Sequence, residues 1–197
     1  MTDVQTERDV VDVLMTDHRE VEAIFVELES RQGTPEHRRQ LADVVIAELV
    51  RHSVAEEAHV YPAARKALPD GDQLAEHEIS EHADAERTMK ELESLDPSEP
   101  RFDELLTKLT ATIRHHVQDE ENDLFPRLRA ACAREELVEL AGKVEAAKKS
   151  APTRPHPAAP DRPPANKLLA PGTGLVDRMR DALSGRPTSM RELREKS

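Results

Sequence analysis

Tryptophan is absent from this chain of 197 residues, and only Phe25, Tyr61, Phe102 and Phe125 are aromatic apart from the histidines. A core so poor in rings has to be filled by Leu, Val, Ile and Ala, the usual filling of helix bundles. Cys132 is the single cysteine, which excludes an intramolecular disulfide and any CxxC motif; it reads as a small residue near a helix end. No stretch approaches the roughly 18 apolar residues of a membrane span. The opening MTDVQTERDVVDVL has no basic region leading into an apolar core. The chain is therefore expected to be soluble and cytoplasmic, with no membrane partner.

Positive charge is also scarce. The net charge is −12, and because residues 151–197 carry nine Lys and Arg against five Asp and Glu, the first 150 residues carry −16. Such a body repels nucleic acid and anionic surfaces and attracts cations. Eight of the 14 prolines fall between Pro152 and Pro187. The expected organisation is one domain over 1–150, followed by a Pro-rich, basic tail over 151–197 that is mostly an extended, mobile linker. Within the tail, GLVDRMRDALSGR has a short apolar stripe (Leu175, Val176, Met179, Leu183) suited to docking, although so short a helix is marginal by itself.

What is present in quantity is helical periodicity. Val11, Leu14, His18, Val21, Phe25 and Leu28 alternate by three and four over residues 9–31, a stripe that ends at Gly33 and Pro35. Leu41, Val45, Leu49, His52 and Glu56 form the next stripe, which Pro62 should kink or stop. A third helix over 72–95 carries Leu74, Glu78, His82, Ala85, Met89 and Leu92; a fourth over 101–125 carries Phe102, Leu105, Leu109, Ile113, His116 and Glu120 and meets Pro126. Short, breaker-rich links between four such segments predict an all-α, up-down-up-down four-helix bundle, with a short fifth helix over 134–149 packed outside it.

The stripes are interrupted by histidine and glutamate at positions related by a shift of 64. It takes His18 to His82, His52 to His116, Glu56 to Glu120 and Pro62 to Pro126, and over 16–65 against 80–129 it gives 13 identities in 50 positions. Inward His and Glu persist while many surface residues differ, so the two halves share a site as well as a fold. HxxxE places an imidazole and a carboxylate one turn apart on one helix face. Two carboxylates and four imidazoles buried without a cation would cost several kcal/mol per uncompensated charge. A dinuclear centre removes that cost, with two histidines on each metal and Glu56 and Glu120 bridging. The donor set suits iron, with manganese as an alternative, better than structural zinc or calcium.

DHREVEAIFVELE, RHSVAEEAHVYP, EHADAERTMKELE and RHHVQDEENDLFP resemble the four helices of the hemerythrin-like HHE cation-binding family over residues 10–130. The resemblance implies a non-haem di-iron site that binds dioxygen or related small ligands, with His18, His52, Glu56, His82, His116 and Glu120 as ligands. Oxygen-carrying hemerythrins have an extra histidine one turn from the third-helix ligand and end in HxxxxD. Here Glu78 and Glu86 flank His82 and the last motif is HxxxE, which implies a more symmetric, more carboxylate-rich centre and argues against simple reversible carriage.

Further residues lie at the margin. Glu22 and Glu86 each follow a ligand histidine by four and read as exposed acids, with a supporting acceptor or an extra ligand as the alternative. His59 forms ExxH with Glu56, a spacing used in ferritin-like di-iron sites, and is a candidate near the site although its counterpart is Asp123. His77 lies five residues, about 140° of helix, from His82 and falls outside the 64-residue relation. Tyr61 and Phe125 should cap one end of the core, His115 should face solvent, and His37 and His156 have no assigned role. Three functions need the same ligands: a carrier or reductant of dioxygen, peroxide or nitric oxide; an iron sensor or handler signalling through the tail to an unknown protein; and a peroxide-consuming, catalase-like enzyme.

Overall fold

The computed structural model describes residues 7–158 and 165–196. Among these the regular elements are all helical: α1 (Val10–Glu29), α2 (Pro35–Ala55), α3 (Tyr61–Ala67), α4 (Gly71–Glu93), α5 (Pro100–Asp119), α6 (Phe125–Ala131), α7 (Arg134–Ser150), α8 (Ala165–Ser184) and α9 (Met190–Lys196). No described helix is long and apolar enough to cross a membrane. Asp9 caps α1, accepting from the Asp12 N–H while Asp12 accepts from the Asp9 N–H. Thr34 caps α2, with Pro35 opening the helix where its missing N–H costs nothing.

The stripes predicted for the four bundle helices are the buried faces. Every residue named for them is buried except Leu74, which is half-buried. Hydrophobic side chains of α1, α2, α4 and α5 form one core cluster around Phe25, Leu41, Leu92 and Phe102. A second gathers Leu14, Tyr61, Phe125 and Leu128 with Leu137, Ala141 and Val144 of α7, so the expected fifth helix closes one end of the bundle.

Two expectations about the chain path are refined. Of the two alternatives for Pro62, a kink or a stop, the stop is overturned: neither Pro62 nor Pro126 ends its helical run. A five-residue π turn precedes each α continuation, Glu56–Val60 before α3 and Glu120–Leu124 before α6, with Tyr61 N–H bonded to the Glu56 carbonyl and Phe125 N–H to that of Glu120. A proline in a regular helix lacks a donor and collides with the carbonyl four residues back. The wider turn just ahead changes that register, and Pro62 and Pro126 sit in the first turn of the segments that follow.

The second correction is the tail. Residues 159–164 lie outside the described residues, but 151–158 and the segments beyond pack on the bundle. Arg186, nearly buried, pairs with Asp43 of α2 and Asp181 of α8, and its Nη1 also donates to the Thr153 carbonyl. Arg154 joins Asp181 to Glu93 of α4, and Leu193 of α9 enters the core cluster. α8 docks by its acidic face, with Asp177 and Asp181 buried, while Leu175, Val176, Met179 and Leu183 point outward. The apolar stripe is thus not the docking face; charge complementarity with buried arginines decides the orientation.

Gly71 opens α4 where a Cβ would lie 2.2 Å from the Ala64 carbonyl oxygen, so the α3–α4 turn closes only around glycine. Gly71→Ala is expected to destabilise by about 1–3 kcal/mol. Gly142→Ala, in an open position on α7, should stabilise by up to about 1 kcal/mol. Thermal melts of the two variants should move in opposite directions; a Gly71→Ala melt equal to the parent would refute the close contact.

Candidate metal centre

The π turns stand where the predicted ligands stand. Glu56 and Glu120 are each the first residue of one, both completely buried, and each lies one helical turn after a histidine. π turns inserted in α-helices are frequent at functional sites, because they rotate one residue's side chain relative to its neighbours.

All six predicted ligands converge. One ligand atom from each of His18, His52, Glu56 and Glu120 lies within 4.8 Å of the others, and the same holds for Glu56, His82 and His116 and for Glu78, His116 and Glu120. His18 Nε2 is 3.3 Å from His52 Nε2, and His82 Nε2 is 3.1 Å from His116 Nε2. The Oε2 atom of Glu56 sits 3.0 Å from His52 Nε2 and 3.5 Å from His82 Nε2. That of Glu120 lies 3.3 Å from His18 Nε2 and 3.6 Å from His116 Nε2. Each glutamate therefore faces one histidine from each half.

Every histidine turns its other ring nitrogen to a carboxylate on a neighbouring helix. His18 Nδ1 meets Glu121 at 3.0 Å, His52 Nδ1 meets Asp17 at 3.2 Å, His82 Nδ1 meets Glu57 at 3.0 Å and His116 Nδ1 meets Glu81 at 3.1 Å. A carboxylate fixes the proton on Nδ1 and leaves the Nε2 lone pair aimed inward, as at metal-bound histidines. These four acids were not singled out from the sequence, yet the signal was there: the shift of 64 takes Asp17 to Glu81 and Glu57 to Glu121. Residues adjacent to a ligand point about 100° away from it, towards the next helix.

Two groups break the pseudo-symmetry. Tyr61 is fully buried, and its hydroxyl lies 3.2 Å from Glu120 Oε1, 3.4 Å from Glu56 Oε2 and 3.2 Å from His82 Nε2. Its counterpart Phe125 stacks on the His18 ring at 5.7 Å. Glu78, buried beside His116 Nδ1 at 2.9 Å, corresponds to Leu14. Tyr61 is thus a site residue as well as a core residue.

Other candidates stay outside. Glu22 is an exposed acid paired with Arg114, Glu86 accepts from the His156 N–H, and His59 is half-buried and belongs to none of the groups of converging ligand atoms found among the described residues. His77 and His115 are exposed beside Glu81, His37 pairs with Glu27, His156 pairs with Asp177, and Cys132 follows α6 at its end. Of His77 and His82, it is His82 that the fold brings inward.

Without a cation the cluster is held by protons. Burial opposes charge on His52, but Glu56 and Asp17 outweigh it and raise its pKa to about 10. His82 and His116 also move upward against burial, through Glu56 and Glu57 for the first and through Glu120, Glu78 and Glu81 for the second. Glu56, despite its burial, is driven well below the usual range by His52 and His82. Burial, with Glu56 and Glu120 beside it, pushes the Tyr61 hydroxyl well above its ordinary value. Three buried carboxylate oxygens of the cluster, Glu56 Oε1, Glu78 Oε2 and Glu120 Oε2, have no hydrogen-bond partner among the described residues, and the last two lie 2.9–3.6 Å from imidazole nitrogens. An unpaired carboxylate oxygen beside inward-facing imidazole nitrogens fits a metal ion, whose binding displaces the protons.

A family model described as Hemerythrin HHE cation binding domain matches residues 9–128. The chain is 28% identical over 179 residues to an uncharacterized hemerythrin-like protein of Schizosaccharomyces pombe, covering 90% of this chain and 88% of that relative. It is 27% identical over 139 residues to a DNA nickase of Nostoc sp., covering 71% of this chain but 39% of the nickase. No solved structure matches the chain.

Two outcomes follow from this geometry. A raised histidine pKa stabilises fully below the unfolded value of 6.5 and is lost as pH rises through about 10. Chelator-treated protein should therefore melt progressively lower between those pH values, and metal-loaded protein should lack this slope; parallel profiles would contradict the proton-held cluster. Asp17→Asn and Glu121→Gln should each weaken metal binding by about 10–100-fold while leaving the helical circular dichroism intact. Unchanged affinity in both would show that the carboxylates do not orient the histidines.

Proposed function

Because this chain belongs to the hemerythrin HHE cation-binding family, we propose that it is a non-haem di-iron protein that binds or reduces a small ligand such as dioxygen, peroxide or nitric oxide. His18 and His52 would hold one metal, His82 and His116 the other, and Glu56 and Glu120 would bridge them across an up-down-up-down bundle. The observation that carries this reading is the pair of facing Nε2 atoms in each half, at 3.3 and 3.1 Å, with every Nδ1 turned to a carboxylate. Imidazole and carboxylate donors in this number suit iron, or manganese in its place, and the metal supplies Lewis acidity and electrons.

The protein's own contribution is to exclude bulk water and to hold protons near the reacting atoms. The six ligand side chains are all nearly or fully buried, and the Tyr61 hydroxyl, kept protonated by its surroundings, is a donor directed at the bridging carboxylates. That donor favours reduction or turnover of a bound ligand, including peroxide consumption, over passive carriage. A sensing or iron-handling role fits the same ligands, with the docked tail as the reporting element. The DNA nickase resemblance covers under half of that protein; the charge of −16 on residues 1–150 supports a reading without nucleic acid, and a cytoplasmic location is part of the same proposal.

Anaerobic loading with ferrous iron should give about two iron atoms per chain and a higher melting temperature. Optical spectra on adding oxygen and then peroxide separate a stable adduct from turnover. His82→Ala should lower iron content or abolish the di-iron spectrum, and His77→Ala should leave both nearly unchanged. A stoichiometry near zero, or the reverse behaviour of the two variants, would overturn the assignment.

A further inference from the structure

The two halves of the bundle are alike around the metal cluster but not at their outer seams. Between α1 and α5 lies a cleft of about 220 Å³, walled by Val21, Phe25, Ile113 and Val117 and lined also by the buried ligand candidate His18. Its rim is the Arg114 guanidinium, clamped by Glu22 and Glu29 at 2.8–2.9 Å. The shift of 64 maps this seam onto the one between α2 and α4, where Arg114 is replaced by the buried Val50 and Val117 by Ser53.

There the equivalents of Glu22 and Glu29 are held by the tail. Glu86 accepts the His156 N–H at 2.7 Å, and Glu93 pairs with Arg154 at 2.7 Å, so a tail arginine takes the place of Arg114. Arg51 donates to the Thr188 carbonyl, and Leu193 packs into the core cluster that contains Leu49 and Val50. The acids that orient the two opposite histidines record the difference: the Glu121 side chain is 28% exposed and its counterpart Glu57 only 9%.

We propose that small neutral ligands enter through the α1–α5 cleft and that the docked tail seals the equivalent α2–α4 seam, making a pseudo-symmetric centre accessible from one side. The inference rests on the metal-centre reading for what the ligand meets inside. The walls are apolar and the volume suits a molecule of a few atoms. Glu22 and Glu121 line the opening, and Arg114 is already neutralised by two carboxylates, so a diatomic gas is favoured over an anion.

Xenon tests the cleft without any metal, since an apolar cavity takes up the gas. Crystals of the full chain under xenon pressure should show density among Val21, Phe25, Ile113 and Val117; xenon confined to other places would overturn the proposal. In iron-loaded protein, Val117→Phe should slow nitric oxide binding several-fold in stopped flow, whereas Ser53→Phe should leave it unchanged. Adding Arg154→Ala to Val117→Phe should restore part of the rate by loosening the tail. Equal effects of the two phenylalanines, or no recovery with Arg154→Ala, would overturn one-sided entry. Iron content measured on each sample separates this outcome from failure of the metal reading, because a chain that takes up no iron can still be scored by xenon.

Discussion

Six ionisable side chains meet in the centre of a bundle whose walls are Leu, Val, Ile and Ala, and the organisation of the molecule answers the cost of burying them. Glu56 and Glu120 are completely enclosed. Isolated carboxylates at such positions would be intolerable. Each is approached by imidazoles from both halves, and each imidazole is fixed from behind by an acid on the neighbouring helix. The π turns belong to the same solution, since they begin at these two glutamates and let the helices pass their prolines without breaking.

Much of this was legible in the chain because burial and periodicity agree wherever a helix packs by its apolar face. The stripes through Val11–Leu28, Leu41–Glu56 and Phe102–Glu120 are the buried faces, and the interrupting His and Glu are the residues that converge. Three features escaped that logic. A π turn leaves no periodic mark beyond a proline that ought to have broken the helix. Asp17 and Glu81 are the same acid in different lengths, so a count of identities passes over them. Tyr61 carries a hydroxyl whose direction depends on the turn that precedes it.

The tail shows where apolar periodicity misleads. Its stripe of Leu175, Val176, Met179 and Leu183 suited docking by that face if the marginal helix formed, whereas the bundle offers Asp43 and Glu93, and the tail brings Arg154 and Arg186 to meet them and α8's own Asp181. Buried arginine with two or more acceptors is a geometrically demanding contact. It fixes one orientation of α8 and leaves the apolar stripe in solvent.

The duplication has a consequence for how the two halves can specialise. Each helical hairpin supplies two histidines and one glutamate, so two identical hairpins associating about a true two-fold axis would assemble the same six groups. Such a dimer would have to carry a tyrosine at both Tyr61 positions or at neither, and a glutamate at both Glu78 positions or at neither. Joining the hairpins in one chain lifts that restriction: Tyr61 stands opposite Phe125 and Glu78 opposite Leu14. One half of the cluster is thereby wetter in hydrogen-bonding terms and the other drier, a division of labour that covalent fusion permits and symmetry forbids.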